Sequence, residues 1–428
     1  VSAVVVGVVF LVAAVGAFYT ATVDDGVAAE QAQGPTVDPF TASIENAQQR
    51  LREVPGDYTT WAQLGTAYVE QARVTADPTY YDKADGALRE SLTLRPEGND
   101  AALTGQGALA NARHDFAAAA ELATQALAVN EYNSTAWGVL TDARTQLGDY
   151  AGATEALGRM LELKPGLASF TRASYDAELH GDLAGARSAL EQALETTQGG
   201  AGEAFCRTYL GALAFSTGDL DEAAAQYTAG LEAAPGDPAL LLGLARVDAA
   251  RGDVDAAVEG FRTVVNAQPL PEHLVEFGAY LESQGRAEEA EQQFALVDTV
   301  RALFAANGAS DDLTTALFAA DHGDPAEALA AAQAEFDRRQ NIDSHDALAW
   351  ALHAAGRDTE ALPHAQQATA LGGASALFLY HRGVIEAALG QGDQARATLV
   401  SALDANPYFS PLHAPRAEAL LESLGGRP

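Results

Sequence analysis

Residues 134–167 read STAWGVLTDARTQLGDYAGATEALGRMLELKPGL, and this stretch decides the fold. Trp137 and Leu140 stand one helical turn apart; Ala153, Leu157, Met160 and Leu161 form a second series with the same spacing. Spacings of three and four mark one face of an α-helix. Between the two series lies Gly148-Asp149-Tyr150. Glycine ends one helix in a left-handed turn, and aspartate accepts hydrogen bonds from the free N–H groups that open the next. Pro165 keeps the second helix from extending. The stretch is a helical hairpin.

The hairpin recurs. An alanine early in the second helix marks it at Ala84, Ala119, Ala153, Ala186, Ala223, Ala257, Ala290, Ala328, Ala361 and Ala395, with intervals of 35, 34, 33, 37, 34, 33, 38, 33 and 34 residues. Companion residues travel with it: Trp61, Leu64, Gly65 and Tyr68; Leu210 and Gly211; Phe277 and Gly278; Gly383. Gly-Asp turns recur at 181–182, 218–219, 252–253 and 323–324, and Pro96, Pro165, Pro235, Pro269 and Pro407 close second helices. Small residues at a crossing let two helices approach, and a large residue opposite fills the space. Trp61 and Trp137 hold that packing position. This pattern resembles the tetratricopeptide repeat (TPR), two antiparallel helices per ~34 residues.

The resemblance spans roughly residues 41–424. It implies an all-α, right-handed TPR superhelix of about ten helix-turn-helix repeats. The chain then divides into an apolar segment (1–20), a linker (21–40), an N-terminal capping helix (41–57), the TPR array (58–407) and a C-terminal capping helix and tail (408–428). Irregular lengths fall at 71–80, at 196–202, which reads as a joint, and near 299–308, which reads as a longer second helix. Stretches such as SFTRASYDAELHGDLAGA (169–186) and NPYFSPLHAP (406–415) look like an exported or membrane-anchored TPR branch of high-GC bacteria with no assigned reaction.

The segment VSAVVVGVVFLVAAVGA carries no charge and continues into Phe18 and Tyr19. It fits a signal anchor with interfacial aromatics, or a signal peptide cleaved after small residues. The expected location is the outside of the cytoplasmic membrane, anchored or secreted. A net charge of −34, from 25 Lys+Arg against 59 Asp+Glu, excludes nucleic acid and anionic lipid surfaces as partners. A single cysteine, Cys206, excludes an intrachain disulfide framework and reads as a packed thiol.

TPR proteins as a class are interaction scaffolds with a concave groove lined by first helices. Counting from each repeat start, the resemblance places Asn111, Asp142, Thr145, Tyr175, Glu178, Arg246, Glu282, Asp321, Asp346, Trp350, His353 and Tyr380 in that groove. Polar and aromatic residues suit a recognition surface, and Trp350 and Tyr380 are the expected exposed anchors. With only Arg246 as a cation in the set, the expected partner is another protein presenting a neutral or basic segment. An alternative is a metal-handling accessory protein: His322, His345, His353, His364, His381 and His413 crowd the last quarter beside Asp321, Asp343 and Asp346, though without H-x-x-x-H spacing. No catalytic constellation stands out. Ser344-His345-Asp346 is contiguous, so on a helix the three side chains diverge. No nucleotide-binding or nucleophile-elbow motif is present, and no cofactor is expected.

Overall fold

A computed structural model describes residues 39–75, 77–306, 312–373 and 375–427. The apolar segment and all but the end of the linker lie outside the described residues. Among those described there are 22 helices and no strand. A first helix, α1 (Pro39–Glu53), shorter than the expected 41–57, precedes ten hairpins. The hairpins are α2 (Tyr58–Thr75) with α3 (Tyr80–Leu94), α4 (Asp100–Ala112) with α5 (Phe116–Val129), α6 (Ser134–Gln146) with α7 (Tyr150–Leu163), α8 (Leu167–Leu179) with α9 (Leu183–Glu195), and α10 (Gly200–Ser216) with α11 (Leu220–Ala233). Then come α12 (Pro238–Arg251) with α13 (Val254–Ala267), α14 (Pro271–Ser283) with α15 (Ala287–Ala306), α16 (Asp312–His322) with α17 (Pro325–Arg338), α18 (Ile342–Ala354) with α19 (Asp358–Ala368), and α20 (Ala376–Ala388) with α21 (Gly392–Ala405). A last helix, α22 (His413–Ser423), closes the array. Part of the expected joint at 196–202 is helical, because α10 begins at Gly200. The lengthened α15 runs 20 residues, as its sequence implied.

The marker alanines sit where two helices must touch. Every one of the ten is no more than 2 % exposed. The neighbouring glycines admit the large residues opposite. A Cβ on Gly211 would lie 2.5 Å from Tyr227 Cε1, and one on Gly243 2.4 Å from the same atom, so Tyr227 is wedged between two backbones. Gly278 makes the same room for Phe294.

The turns follow the capping logic. Asp115, Asp149, Asp182, Asp219 and Asp253 each accept from the N–H three residues on. Gly148, Gly181, Gly218 and Gly252 precede four of them with φ of 80°, 78°, 77° and 78°. Before Asp115 the same left-handed position is held by His114 at φ 61°, a strained place for a residue with a Cβ. Trp61 and Trp137 are half-buried against their clusters. Their indole N–H groups donate to the carbonyls of Pro55 and Glu131, both at 2.9 Å.

Two compact units are present, one holding described residues 39–169 and the other residues 170–303 and 312–427. In the first, α1 packs on α2 through Ile44 and Leu51, and Asn133 ties the α5–α6 turn to Asp100 and Thr104. In the second, hairpins far apart in sequence meet. Gly373 N donates to the Leu179 carbonyl at 3.1 Å, and Asn406 Nδ2 donates to the Phe215 carbonyl at 3.1 Å.

Candidate functional site

The residues assigned to the groove fall in both units. In residues 39–169, Asn111 is buried, with Nδ2 donating to the Val139 carbonyl at 3.2 Å and Oδ1 finding no partner among the described residues. Asp142 and Thr145 are half-buried on the same helix, and Thr145 Oγ1 donates to the Thr141 carbonyl at 2.9 Å. In residues 170–428, Tyr175 is buried on α8 and Glu178 is half-buried there. Desolvation raises the Glu178 carboxyl to about 7.

Arg246 on α12 forms a two-pronged ion pair with Glu276 on α14: Nε to Oε1 and Nη2 to Oε2 are both 2.6 Å. Burial alone would raise the Glu276 carboxyl, and the Arg246 guanidinium reverses this and holds it below the usual carboxylate range. Glu272, one turn earlier, is raised by burial and by the Glu276 charge. Glu282, partly exposed, accepts from His322 Nε2 at 2.9 Å.

The remaining groove residues converge. Trp350 Nε1 donates to Asp321 Oδ1 at 2.8 Å, and the indole stacks on His381 with ring centres 4.1 Å apart at 14°. His381 Nδ1 meets Asp346 Oδ2 at 2.9 Å, with both residues 1 % exposed. His413 Nε2 meets Asp321 Oδ2 at 3.1 Å, and its ring lies 5.0 Å from Tyr380. His353 stacks beside Trp350 and pairs with Asp358 at 2.5 Å.

The expectation that Trp350 and Tyr380 are exposed anchors is overturned. They are 7 % and 4 % exposed, because the C-terminal segment around Phe409 and His413 covers them. Asn111, Tyr175 and Asp346 are likewise buried.

Burial raises the Tyr380 hydroxyl to about 12 and, against the pull of Asp321, depresses His413. The Asp321 carboxyl, which burial would raise, is driven far below its usual range by His413, His381 and Trp350. A small cavity, about 10 Å³ over the positions a water centre can take, is walled by Glu272, Val275, Thr314, Leu317, Phe318, Asp321, Leu377, His381 and His413. Among the described residues, His381 Nε2 and His413 Nδ1, which belong to that wall, find no hydrogen-bond partner. An unpaired buried polar group costs about 1–3 kcal/mol.

Chemistry finds little purchase here. Ser344, His345 and Asp346 point to three different partners: the Arg339 carbonyl, His364 and His381. Cys206 is fully buried, and desolvation raises its thiol to about 12, so the nucleophilic thiolate is suppressed. Among the described residues no three His, Cys, Asp or Glu side chains are placed to hold a metal ion, so the metal-handling reading gains no support. Among them, too, no helix is long and apolar enough to cross a membrane.

Sequence reasoning missed His381, Phe409 and His413 as members of this cluster. The sequence makes the C-terminal stretch a cap because it follows the last repeat, and no periodic signal tells where such a stretch lands.

Residues 214–274 match one tetratricopeptide repeat profile and residues 175–238 another. A search of curated proteins gave no match. Among solved structures, the chain is similar to a tetratricopeptide repeat protein from Parabacteroides merdae, with 19% identity over 60% of this chain and 98% of that one and a TM-score of 0.36. It is also similar to Tom70 of yeast, at 11% identity over 90% of this chain and 95% of that one (TM-score 0.40). The Cut9–Hcn1 hetero-tetramer of the APC/C gives 12% identity over 90% of this chain and 86% of the other (TM-score 0.45).

Proposed function

We propose that this chain, a tetratricopeptide repeat protein whose fold supports protein–protein interaction, is a non-enzymatic scaffold of the cell envelope that holds another protein on the first-helix face of its repeats. The observation that carries the reading is the state of Arg246. It is the one cation among the groove residues named from the sequence, and Glu276 neutralises it through a two-pronged pair. With a net charge of −34 around it, that face favours a neutral or basic segment and repels an acidic one. The envelope location rests on the apolar run 1–19, as an anchor or a cleaved signal, and on the resemblance to exported TPR chains.

An array of immobilised peptides of graded charge tests the proposal. Neutral and basic peptides are expected to retain the chain through the first-helix face around Arg246, the basic ones less as salt rises. Preferential retention by acidic peptides would overturn the charge argument. Retention independent of sequence and charge would overturn specific recognition.

A further inference from the structure

Residues 406–412 run without helical structure between α21 and α22. A connecting stretch of this kind is ordinarily solvated. Here Asn406 is 4 % exposed, Phe409 2 %, Ser410 3 % and the following His413 1 %. The stretch is held at both ends by repeats remote from it. Asn406 reaches the Phe215 carbonyl at the end of α10, 191 positions back. Phe409 lies against Tyr380 with ring centres 5.7 Å apart, and His413 reaches Asp321 on α16. The surfaces it meets beyond Phe215 belong to first helices, the elements that line the inner face of the repeats.

We propose that residues 406–413 are a self-ligand: they occupy, in cis, a peptide-binding surface on the first helices of residues 170–428. The external partner for that surface is a neutral, extended segment with an aromatic residue followed four places later by a hydrogen-bonding side chain such as histidine. This rests on the interaction-scaffold reading and names the chemistry of its partner.

Two features argue that the occupant is exchangeable rather than simply part of the core. The fit is incomplete, since His381 Nε2 and His413 Nδ1 are buried without partners while both residues border the same small cavity. Well-fitted interiors leave few such atoms. His381 Nε2 stays on the surface when the segment leaves, so an incoming group that bonds it gains what the cis segment forgoes. The surface is also acidic, with Glu272, Asp321 and Asp346 behind it, which selects against an acidic competitor. The tether explains the closed state. Asn406 follows directly on α21, so the segment is presented in cis at an effective concentration of at least order millimolar, and a free peptide of micromolar affinity competes poorly.

The test uses the full chain and a fluorescein-labelled peptide spanning residues 404–416. Wild type is expected to show no binding below about 1 mM peptide. Phe409→Ala/His413→Ala, which removes the two largest anchors, is expected to bind at least about tenfold more tightly, because the competent fraction rises. Asn406→Ala serves as the milder variant that leaves the buried ring in place, and it is expected to shift binding in the same direction. Hydrogen exchange over α10 to α16 confirms that each variant stays folded.

Absence of peptide binding by both folded variants would overturn the self-ligand, and the scaffold reading would survive if the charge-graded peptides still bind wild type. A wild-type dimer that exchanges residues 406–424 between copies would assign the segment to a second molecule and equally overturn occupancy in cis.

Discussion

Replacing Glu276 with glutamine strands the Arg246 guanidinium. The two side chains are 13 % and 8 % exposed, so solvent does little of the work of keeping them charged. Removing one partner of a buried ion pair costs about 3–5 kcal/mol, mostly the penalty of an unpaired buried charge. Two features of the site lower that figure. Glutamine keeps one neutral acceptor, worth about 1 kcal/mol. Glu272, raised chiefly by burial and further by the Glu276 charge, becomes a somewhat stronger acid once that charge is gone, which offsets part of the cost. The expected cost is therefore about 2–4 kcal/mol. For a unit of this size each kcal/mol lowers the melting temperature by about 2–4 °C, so the melt of residues 170–428 should fall by about 4–16 °C.

Replacing both partners, Arg246→Met with Glu276→Leu, leaves no charge to satisfy and should restore most of the loss or exceed wild type. Calorimetry on wild type, Arg246→Met, Glu276→Leu and the double variant completes the cycle, with Glu276→Gln measured beside it. A Glu276→Gln shift under 1 °C, or a double variant no better than the single, would refute the account of this pair as a buried charge held by its neighbour.

Three further outcomes follow from the same physics. Gly243→Ala places a methyl group 2.4 Å from Tyr227 Cε1 and should cost about 1–3 kcal/mol by urea denaturation, with Tyr227→Leu in the same chain recovering part of it. His345, pushed to about 4 by burial and by His364, together with His364 and His413, which burial also depresses, is held neutral in the fold. The unfolded chain, with histidines near 6.5, binds more protons below that pH. Their contribution is therefore fully present above pH ~6.5 and is lost as pH falls toward about 4. Glu178, raised to about 7, and Asp343, raised to about 6, act in the opposite sense, so the histidines are read by difference: lowering the pH from 7.5 to 5.5 should move the urea midpoint down further in wild type than in His345→Phe with His364→Phe. Cys206, with its thiol pushed up to about 12, should resist a thiol reagent at pH 8 in the native chain and react fully in urea; fast native labelling would contradict its burial.

What the sequence determined by itself was the repeating hairpin. The marker alanines, the Gly-Asp turns and the tryptophans act within one hairpin or against its neighbour, so their signal is local and returns with each period. That is why ten alanines named from spacing alone are all buried at helix contacts. The same counting placed Asp321, Asp346, Trp350 and Tyr380 on first helices, where they are found. It could not show that they are covered. Asp321 meets a histidine 92 positions away, and Asn406 a carbonyl 191 positions away. Contacts of that range depend on how the small turn between successive hairpins accumulates and on where a non-repeating C-terminal stretch then fits. Neither leaves a period in the chain, so only the tertiary structure decided that this first-helix face is covered by the chain's own C-terminal stretch.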